Sequence, residues 1–234
     1  GIAAGLTTLG YIPFVHSFAM FTAGRCFDQI RNSIAYPNLN VKVVGTHAGL
    51  SVGEDGATHQ CLEDMGIMRT IPNMTIIHPC DGNETKTAVK ELLNHVGPCF
   101  LRLGRAALDI VTDIDDYEFE IGRAAKLRDG NDVTIIAVGM MVQEALQAAE
   151  VLAGEISVRV LDMHTIKPID EAAIITAAKE TGAIVTAEEH NVLGGLGGAV
   201  AEVVSSYCPV PVIRMGTQDT FGRSGNVDKL MALY

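Results

Sequence analysis

Short runs of β-branched and aliphatic residues alternate along the chain with longer segments whose apolar positions recur at helical spacing. Runs of the first kind predict buried strands, and segments of the second kind predict helices that cover a sheet. In the first half of the chain the predicted strands are residues 12–17, 41–46, 74–78 and 99–103, and the predicted helices are residues 25–35, 59–68 and 82–95. This order indicates a mostly parallel sheet with helices on both faces.

The second half of the chain repeats this alternation. Its predicted strands are residues 133–138, 158–161, 183–187 and 212–214, and its predicted helices are residues 142–152, 171–181 and 199–206. The stretch between the halves, residues 105–118, is acidic and shows neither the strand pattern nor the helical spacing of apolar residues, which is typical of a linker. We therefore predict two consecutive open α/β domains, residues 1–114 and 115–234, each with a mainly parallel sheet flanked by helices.

The amino-acid composition limits which binding partners and which cellular location the protein is expected to have. Of the 234 residues 48% are hydrophobic, and the formal net charge of −11 disfavours a nucleic-acid backbone as a partner. The sequence contains no apolar run of about 18 residues that would predict a membrane span and no signal-peptide pattern. Its five cysteines include no CxxC pair. This cysteine usage is typical of a reduced, cytoplasmic protein.

The first residues have the character of a segment inside a longer polypeptide. The chain starts at Gly1 rather than at methionine, and GIAAGLTTLG has the composition of the middle of a helix. We therefore expect further residues ahead of Gly1 and an N-terminally incomplete first domain.

The segment from Thr46 to Gln60, THAGLSVGEDGATHQ, combines several titratable side chains with three glycines. It directly follows a predicted strand, and ligands of open α/β sheets bind at the carboxyl ends of strands. We expect His47, Glu54, Asp55 and His59 to meet a polar ligand. On the residues alone, a structural role for either histidine is an equal alternative. A metal site is disfavoured, because the long glycine-rich loop between the histidines gives no fixed ligand geometry.

Several segments together resemble the C-terminal half of the transketolase family. They are GIAAGL at Gly1, SFAMF at Ser17, FDQIR at Phe27, GEDGATHQ at Gly53, RTIPNMTIIHPCDGNE at Arg69, FLRLGR at Phe100, VLDMHTIKPID at Val160 and RSGNVDKL at Arg223. They cover nearly the whole chain in the family's order. The resemblance implies the pyrimidine-binding domain of thiamine diphosphate enzymes, followed by a transketolase C-terminal domain.

The resemblance also implies a divided enzyme. The family's domain that binds the cofactor's diphosphate and its Mg²⁺ or Ca²⁺ has no counterpart in this sequence, so a separate N-terminal subunit is expected to supply it. Two such subunits and two of these chains would form a heterotetramer, with a homodimer contact through this chain and thiamine diphosphate shared between subunits. The expected reaction transfers a two-carbon ketol unit between sugar phosphates in pentose phosphate metabolism.

Two phenylalanines match the family's cofactor-binding positions. Phe21 is expected to stack on the aminopyrimidine ring of the cofactor, and Phe18 to line the same pocket. On spacing alone, both would be ordinary core residues. Gly24 stands where many relatives have a third aromatic residue, so part of the pocket wall is more open or comes from elsewhere. The family's activating glutamate lies in a motif immediately upstream of Gly1, and we expect it there.

Four polar residues match the family's substrate-binding positions. His47 and Arg105 correspond to residues that bind the substrate phosphate, although Arg105 alone would be taken for a surface cation. Asp55 corresponds to a carboxylate that accepts a hydrogen bond from a sugar hydroxyl. His59 corresponds to a histidine that contacts donor hydroxyls and assists proton movement. Glu54 is expected to be structural.

The second domain offers less chemistry. Residues 188–200, EEHNVLGGLGGAV, place glycines between a strand and a helix, but the spacing does not fit a phosphate-binding turn, so close helix–strand packing is favoured. By resemblance this domain stabilises the dimer rather than contacting substrate, with Glu189 and His190 facing the partner chain. Residues 165–170 predict a loop, with Pro168 and Asp170 opening the next helix.

Two alternatives stay open. 1-Deoxyxylulose-5-phosphate synthase and the β-subunit of 2-oxo acid dehydrogenases share the domain pair, although GEDGATHQ, LEDMG and RTIPNM favour transketolase over both. A non-catalytic dimerisation or partner-binding module is the alternative outside enzymes. The sequence does not identify the sugar phosphates.

Overall fold

The apolar runs form two separate five-stranded sheets in the computed structural model, which describes residues 1–114 and 117–234. The strands, in chain order, are β1 (Phe14–Phe18), β2 (Lys42–Thr46), β3 (Thr75–Ile77), β4 (Cys99–Arg102), β5 (Ala125–Arg128), β6 (Val133–Ala137), β7 (Val158–Asp162), β8 (Thr165–Lys167), β9 (Ile184–Asn191) and β10 (Val212–Thr217). The fold confirms the predicted pair of mainly parallel α/β sheets.

Helices connect the strands and cover both sheets. The α-helices, in chain order, are α1 (Ile2–Thr7), α2 (Phe27–Gln29), α3 (Asp64–Arg69), α4 (Gly82–Asn94), α5 (Met141–Val151), α6 (Glu171–Thr181), α7 (Leu196–Tyr207) and α8 (Val227–Leu233). Two runs of wider π-type turns, Met20–Arg25 and Ile30–Ala35, flank α2, and a 3₁₀ segment, Leu50–Asp55, follows β2. No helix among the described residues is both long and apolar enough to cross a membrane.

The first sheet has the strand order β1-β2-β4-β3-β8, and the second has the order β10-β9-β6-β7-β5. Four neighbouring strands of each sheet run parallel, while β8 and β5 are antiparallel edge strands. In β1 and β2, Phe18 pairs with Thr46, so the two strands end level with each other. The residues that follow both strands therefore meet at one edge of the sheet.

The second half of the chain completes the first sheet, which corrects the predicted loop at residues 165–170. Thr165 and Lys167 of β8 pair with β3, and the Lys167 ammonium donates to the carbonyls of Arg69 (2.8 Å) and Ile71 (2.6 Å). Asp170 does open the next helix as predicted, because its carboxylate accepts from Ala173 N at 2.9 Å.

Other predicted boundaries also shift. The helix predicted at 59–68 begins only at Asp64, because the backbone N–H groups of His59 and Gln60 both donate to the carbonyl of Gly56 in a tight turn. The described part of residues 105–118 contains no helix or strand, as expected of a linker. The predicted domain boundary near Asp115 lies outside the described residues, so the division at 114/115 stays a prediction.

A shared apolar cluster joins the two sheets. It includes Val43 and Phe100 from the first sheet, Ile136 from the second sheet and Val200 from α7, all at most 3% exposed. Burial of such side chains is the main favourable contribution to folding. The two halves of the chain thus pack on one common apolar core.

Candidate functional site

Three of the predicted site residues lie at or just after the ends of neighbouring parallel strands. Phe18 ends β1, His47 follows β2, and Arg105 comes shortly after β4. Since β1, β2 and β4 are adjacent, their carboxyl ends form one edge of the first sheet. Open α/β sheets bind ligands at this edge.

The structure brings four of the predicted residues together as an aromatic cluster of Phe18, Phe21, His47 and His59. The Phe18 ring is nearly parallel to the Phe21 ring, with centroids 5.8 Å apart, and it stacks on the His47 imidazole at 4.0 Å. The His59 imidazole lies edge-on to both phenylalanines, at 6.0 Å from Phe18 and 5.4 Å from Phe21. All four side chains are half-buried. They therefore lie partly accessible at the edge of the sheet, rather than in the ordinary core predicted from spacing alone.

A strained backbone sets the orientation of His47. Its φ of +54° lies in the left-handed region, which a non-glycine residue seldom adopts. Nδ1 of its imidazole lies 3.1 Å from the Thr46 hydroxyl, and that hydroxyl donates to the Ser17 carbonyl at 3.3 Å. These contacts link His47 to the end of β1 and keep its ring against Phe18.

Arg25 lies against the aromatic cluster, although no motif in the sequence predicted a role for it. Its guanidinium carbon lies 4.3 Å from the centroid of the Phe21 ring, within the range of a cation–π interaction. Gly24, where the resemblance leads us to expect a third aromatic residue in relatives, is exposed beside Arg25. The Arg25 guanidinium thus contacts Phe21 near the position of Gly24.

Asp55 and Arg105 form a second, more exposed group. The Arg105 guanidinium donates to the Val52 carbonyl at 2.6 Å and lies 3.5 Å from the Asp55 carboxylate, with both side chains more than 40% exposed. An exposed pair of this kind contributes little stability. It leaves a guanidinium and a carboxylate accessible beside the same loop. The Glu54 side chain is exposed as well, so its expected structural role stays a prediction.

A buried polar network lies beneath this edge and was not predicted. Arg102, which is 0% exposed, donates to the Asp64 carboxylate at 2.9 Å, to the His78 ring at 2.8 Å and to the Glu189 carbonyl at 2.9 Å. Asp64 also faces His190 at 3.9 Å. The network therefore ties β4 and α3 of the first half to β9 of the second half.

Hydrogen bonds fix the protonation of His78 in this network, and burial keeps His190 neutral. A guanidinium only donates, so Nε2 of His78 accepts from Arg102 and its Nδ1 donates to the Arg102 carbonyl. Burial, together with the Arg102 charge, holds the pKa of His78 well below its ordinary value. Burial also lowers the pKa of His190 to about 4, although the Asp64 carboxylate opposes the shift. Both imidazoles are thus neutral, and Asp64 balances the charge of Arg102.

Glu189 and His190 contact the first half of the same chain, which corrects the expectation that they face a partner. The Glu189 carboxylate accepts from Ser51 N, and the His190 ring accepts from Gly66 N at 3.3 Å. Burial raises the pKa of Glu189 to about 7, while Arg102 opposes the shift.

The glycine cluster after β9 serves close packing, as the spacing predicted. A Cβ atom at Gly197 would lie 2.8 Å from the Thr186 hydroxyl and 2.9 Å from Arg214 Cγ. The N-terminus of α7 is occupied by the chain itself, because the Glu188 carboxylate accepts from Leu196 N at 2.7 Å and from Gly197 N at 2.8 Å. This helix end is therefore not free to bind a phosphate.

A second buried cluster joins α4 to the end of β7. Cys80, Glu84 and Asp162 place their sulfur and carboxylate atoms within 4.8 Å of one another. Glu84 accepts from Cys80 N at 2.6 Å and from the Tyr117 hydroxyl, whereas neither Asp162 oxygen accepts a hydrogen bond from any of the described residues. Burial raises the pKa of Asp162 well above its ordinary value, and the adjacent Glu84 carboxylate adds to the shift. Asp162 therefore keeps its proton at pH values where an exposed aspartate is ionised.

The raised pKa of Asp162 predicts the effect of Asp162→Asn on stability. The folded-state pKa of Asp162 is raised, so its contribution is fully present below the unfolded value of about 3.9 and is lost as the pH rises toward the folded value. An asparagine is uncharged at any pH. We expect the free energy of unfolding of Asp162→Asn, relative to the original chain, to increase as the pH rises above about 4. Urea unfolding at several pH values measures this difference, and a difference that stays constant would contradict the raised pKa of Asp162.

Comparison with known proteins assigns each half of the chain to a known domain family. Residues 1–110 match the family model for the transketolase pyrimidine binding domain, and residues 122–234 match that for the transketolase C-terminal domain. The chain is 48% identical to the 6-deoxy-6-sulfo-D-fructose transketolase subunit of Clostridium sp. (strain MSTE9), over 98% of this chain and 71% of that protein. It is 44% identical to an apulose-4-phosphate transketolase subunit of Phocaeicola vulgatus, over 100% of this chain and 75% of that protein.

Solved structures agree with these matches. A protein described as a split gene transketolase, inactive β4 tetramer, superimposes with a TM-score of 0.93 at 48% identity, covering 100% of this chain and 75% of that one. The transketolase of Campylobacter jejuni shares the fold at 22% identity, with a TM-score of 0.79 over 99% of this chain and 35% of that one. The chain belongs to the transketolase family, of which it carries the pyrimidine-binding and C-terminal domains.

Proposed function

We propose that this chain is the C-terminal subunit of a divided, thiamine diphosphate-dependent transketolase that transfers a two-carbon ketol unit between sugar phosphates. The observation that carries the proposal is the half-buried aromatic cluster at the carboxyl edge of the first sheet. A separate N-terminal subunit would bind the cofactor's diphosphate and its Mg²⁺ or Ca²⁺. The five free cysteines fit a cytoplasmic location.

The residues at this edge fit the aminopyrimidine half of thiamine diphosphate. Phe21 offers an aromatic face next to a parallel Phe18 ring, and flat rings bind such faces by offset stacking. When bound, the cofactor supplies the electron sink for the ketol carbanion, whereas the protein supplies binding, orientation and electrostatics.

The polar residues of the site would bind the sugar. His59 lies edge-on to both phenylalanines, where a neutral or protonated imidazole can bond donor hydroxyls and hold or release a proton. Asp55 can accept from a substrate hydroxyl, and Arg105, together with His47, can bind the terminal anion. The two curated relatives carry names that specify a sulfosugar and a sugar phosphate. Those names support an anionic substrate for this chain and leave its particular sugar open.

Ketol transfer by a mixture of this chain and an N-terminal subunit tests the proposal, because neither polypeptide should be active alone. The description of the solved relative as an inactive β4 tetramer fits an activity that requires a second kind of subunit.

The role of Arg105 gives a sharper prediction for the anion site. Arg105→Ala is expected to raise KM for phosphorylated acceptors by about tenfold or more, because a charge-assisted hydrogen bond to an anion contributes roughly 1.5–3 kcal/mol. Acceptors without phosphate should be spared. Arg123→Ala, which removes an exposed arginine paired with exposed Glu120, is the matched control. Equal effects on both classes of acceptor would contradict a phosphate role for Arg105.

A further inference from the structure

The Leu50–Asp55 loop is held by side chains from both halves of the chain. This 3₁₀ segment lies between Gly49 and Gly56 and carries Asp55 at its end. From the first half, the Arg105 guanidinium binds the Val52 carbonyl. Gln60, which is 3% exposed, donates to the Gly53 carbonyl at 3.2 Å. From the second half, two separate segments reach the same loop.

The first of these contacts comes from β9. The Glu189 carboxylate accepts from the backbone N–H of Ser51, 138 residues away in sequence. Gly49 makes room for it, since a Cβ atom there would overlap the carboxylate, and its φ of +87° also favours glycine. The Glu189 backbone is in turn bound by Arg102. Glu189 is thus anchored by the buried network and directed at the start of the loop.

The second contact comes from the segment that precedes α8. The Ser224 hydroxyl donates to the Glu54 carbonyl at 2.5 Å, and Gln60 Nε2 donates to the Arg223 carbonyl at 3.0 Å. The segment packs closely on the loop glycines: a Cβ atom at Gly56 would lie 3.3 Å from Ser224 N, and one at Gly53 would lie 3.2 Å from Val227 Cγ2.

We propose that Glu189 and Ser224 are positioning residues that hold the Leu50–Asp55 loop, and with it Asp55 and Arg105, in the geometry that binds substrate. The inference rests on the proposed function and assigns the second domain a part in the site beyond dimer contact. Neither residue needs to touch substrate. Fixing the loop backbone from two sides keeps Asp55 within bonding distance of a sugar hydroxyl, and a displacement of about 1 Å can cost as much as 100-fold in rate.

Amide hydrogen exchange of the isolated full chain tests whether Glu189 and Ser224 hold the loop, without any assumption about activity. Glu189→Ala and Ser224→Ala should each increase exchange at the amides of residues 51–55 by on the order of tenfold, because each removes one hydrogen bond to the loop. Glu189→Gln should restore slow exchange, since an amide oxygen still accepts from Ser51 N. Two matched controls are Glu188→Ala, whose carboxylate binds the N-terminus of α7, and Ser206→Ala, whose hydroxyl binds Glu202 within α7. Neither control should change exchange in the loop.

Steady-state kinetics of the complete complex tests the consequence for substrate. Glu189→Ala and Ser224→Ala should lower kcat/KM by about tenfold or more through KM for the sugar, with cofactor affinity unchanged and with Glu189→Gln close to the original chain. If Glu189→Ala fails to fold, Ser224→Ala and Glu189→Gln still test the positioning role. Unchanged exchange in the loop, or slower catalysis in the two controls as well, would refute the positioning role of Glu189 and Ser224. An inactive original complex with the predicted exchange pattern would instead refute the proposed reaction.

Discussion

Replacing Arg102 with methionine is expected to lower the free energy of unfolding by about 3–5 kcal/mol. The guanidinium is fully buried and binds Asp64, His78 and the Glu189 carbonyl. Burial by itself would lower the pKa of Arg102, yet the Asp64 and Glu189 carboxylates raise it above its ordinary value. The methionine variant leaves the Asp64 carboxylate buried without a cation and the acceptor nitrogen of His78 without a donor. Such uncompensated groups cost far more than a lost surface pair.

Urea unfolding of the isolated chain measures this loss. Arg123→Met is the control, because Arg123 and Glu120 form an exposed pair, with 71% and 63% of their side chains accessible. The double variant Arg102→Met with Asp64→Leu should regain much of the stability, since it removes both buried charges. A loss below about 1 kcal/mol for Arg102→Met, as is common for surface pairs, would show that the network does not join the two halves energetically.

Replacing Phe21 with alanine is expected to weaken binding of thiamine diphosphate to the complete complex by roughly 30-fold, or about 2 kcal/mol. The Phe21 ring provides the face on which the aminopyrimidine would stack, and Phe18, His59 and Arg25 surround it. Alanine removes both the stacking and the apolar area that the pyrimidine would cover. The side chain is half-buried, so folding should tolerate the change better than cofactor binding does.

Equilibrium titration of the complex with thiamine diphosphate, followed by calorimetry, measures the affinity. Phe21→Tyr keeps the ring and should bind nearly as well as the original chain. Tyr207→Ala removes an aromatic side chain, 61% exposed, at the end of α7, and should leave the affinity unchanged. An unchanged dissociation constant for Phe21→Ala would contradict the assignment of this ring to the cofactor.

Local sequence pattern predicted the parts of the fold that depend on neighbouring residues. The parallel strands around Val43 and Phe100 are continuous apolar runs, and such runs are typical of sheets covered on both faces. β8 was missed because three residues, Thr165–Lys167, give too short a pattern, and their pairing with β3 joins residues far apart in sequence. The early helix start predicted at residue 59 failed because the backbone at His59 and Gln60 turns on Gly56.

In the candidate site, too, some residues could be predicted from the sequence and others could not. Family motifs predicted the residues of the aromatic cluster, and the structure places Phe18, Phe21, His47 and His59 in contact. Their roles toward cofactor and substrate stay predictions. The sequence could not predict the Arg102–Asp64 pair, because charged residues are usually exposed and these two are 38 residues apart. The same holds for Glu189 and Ser51, whose contact requires both halves to pack on one core.

As one subunit of a divided transketolase, this chain would need an N-terminal subunit for activity. The most direct test of the proposed function is transfer of a ketol unit from xylulose 5-phosphate, and from a sulfonated donor, to a panel of aldose phosphates. The chain is mixed with its N-terminal partner, thiamine diphosphate and Mg²⁺, and each polypeptide alone serves as a control. We expect transfer only in the mixture and only with thiamine diphosphate. Transfer by this chain alone, or none by a stable complex that binds the cofactor, would contradict the proposed function.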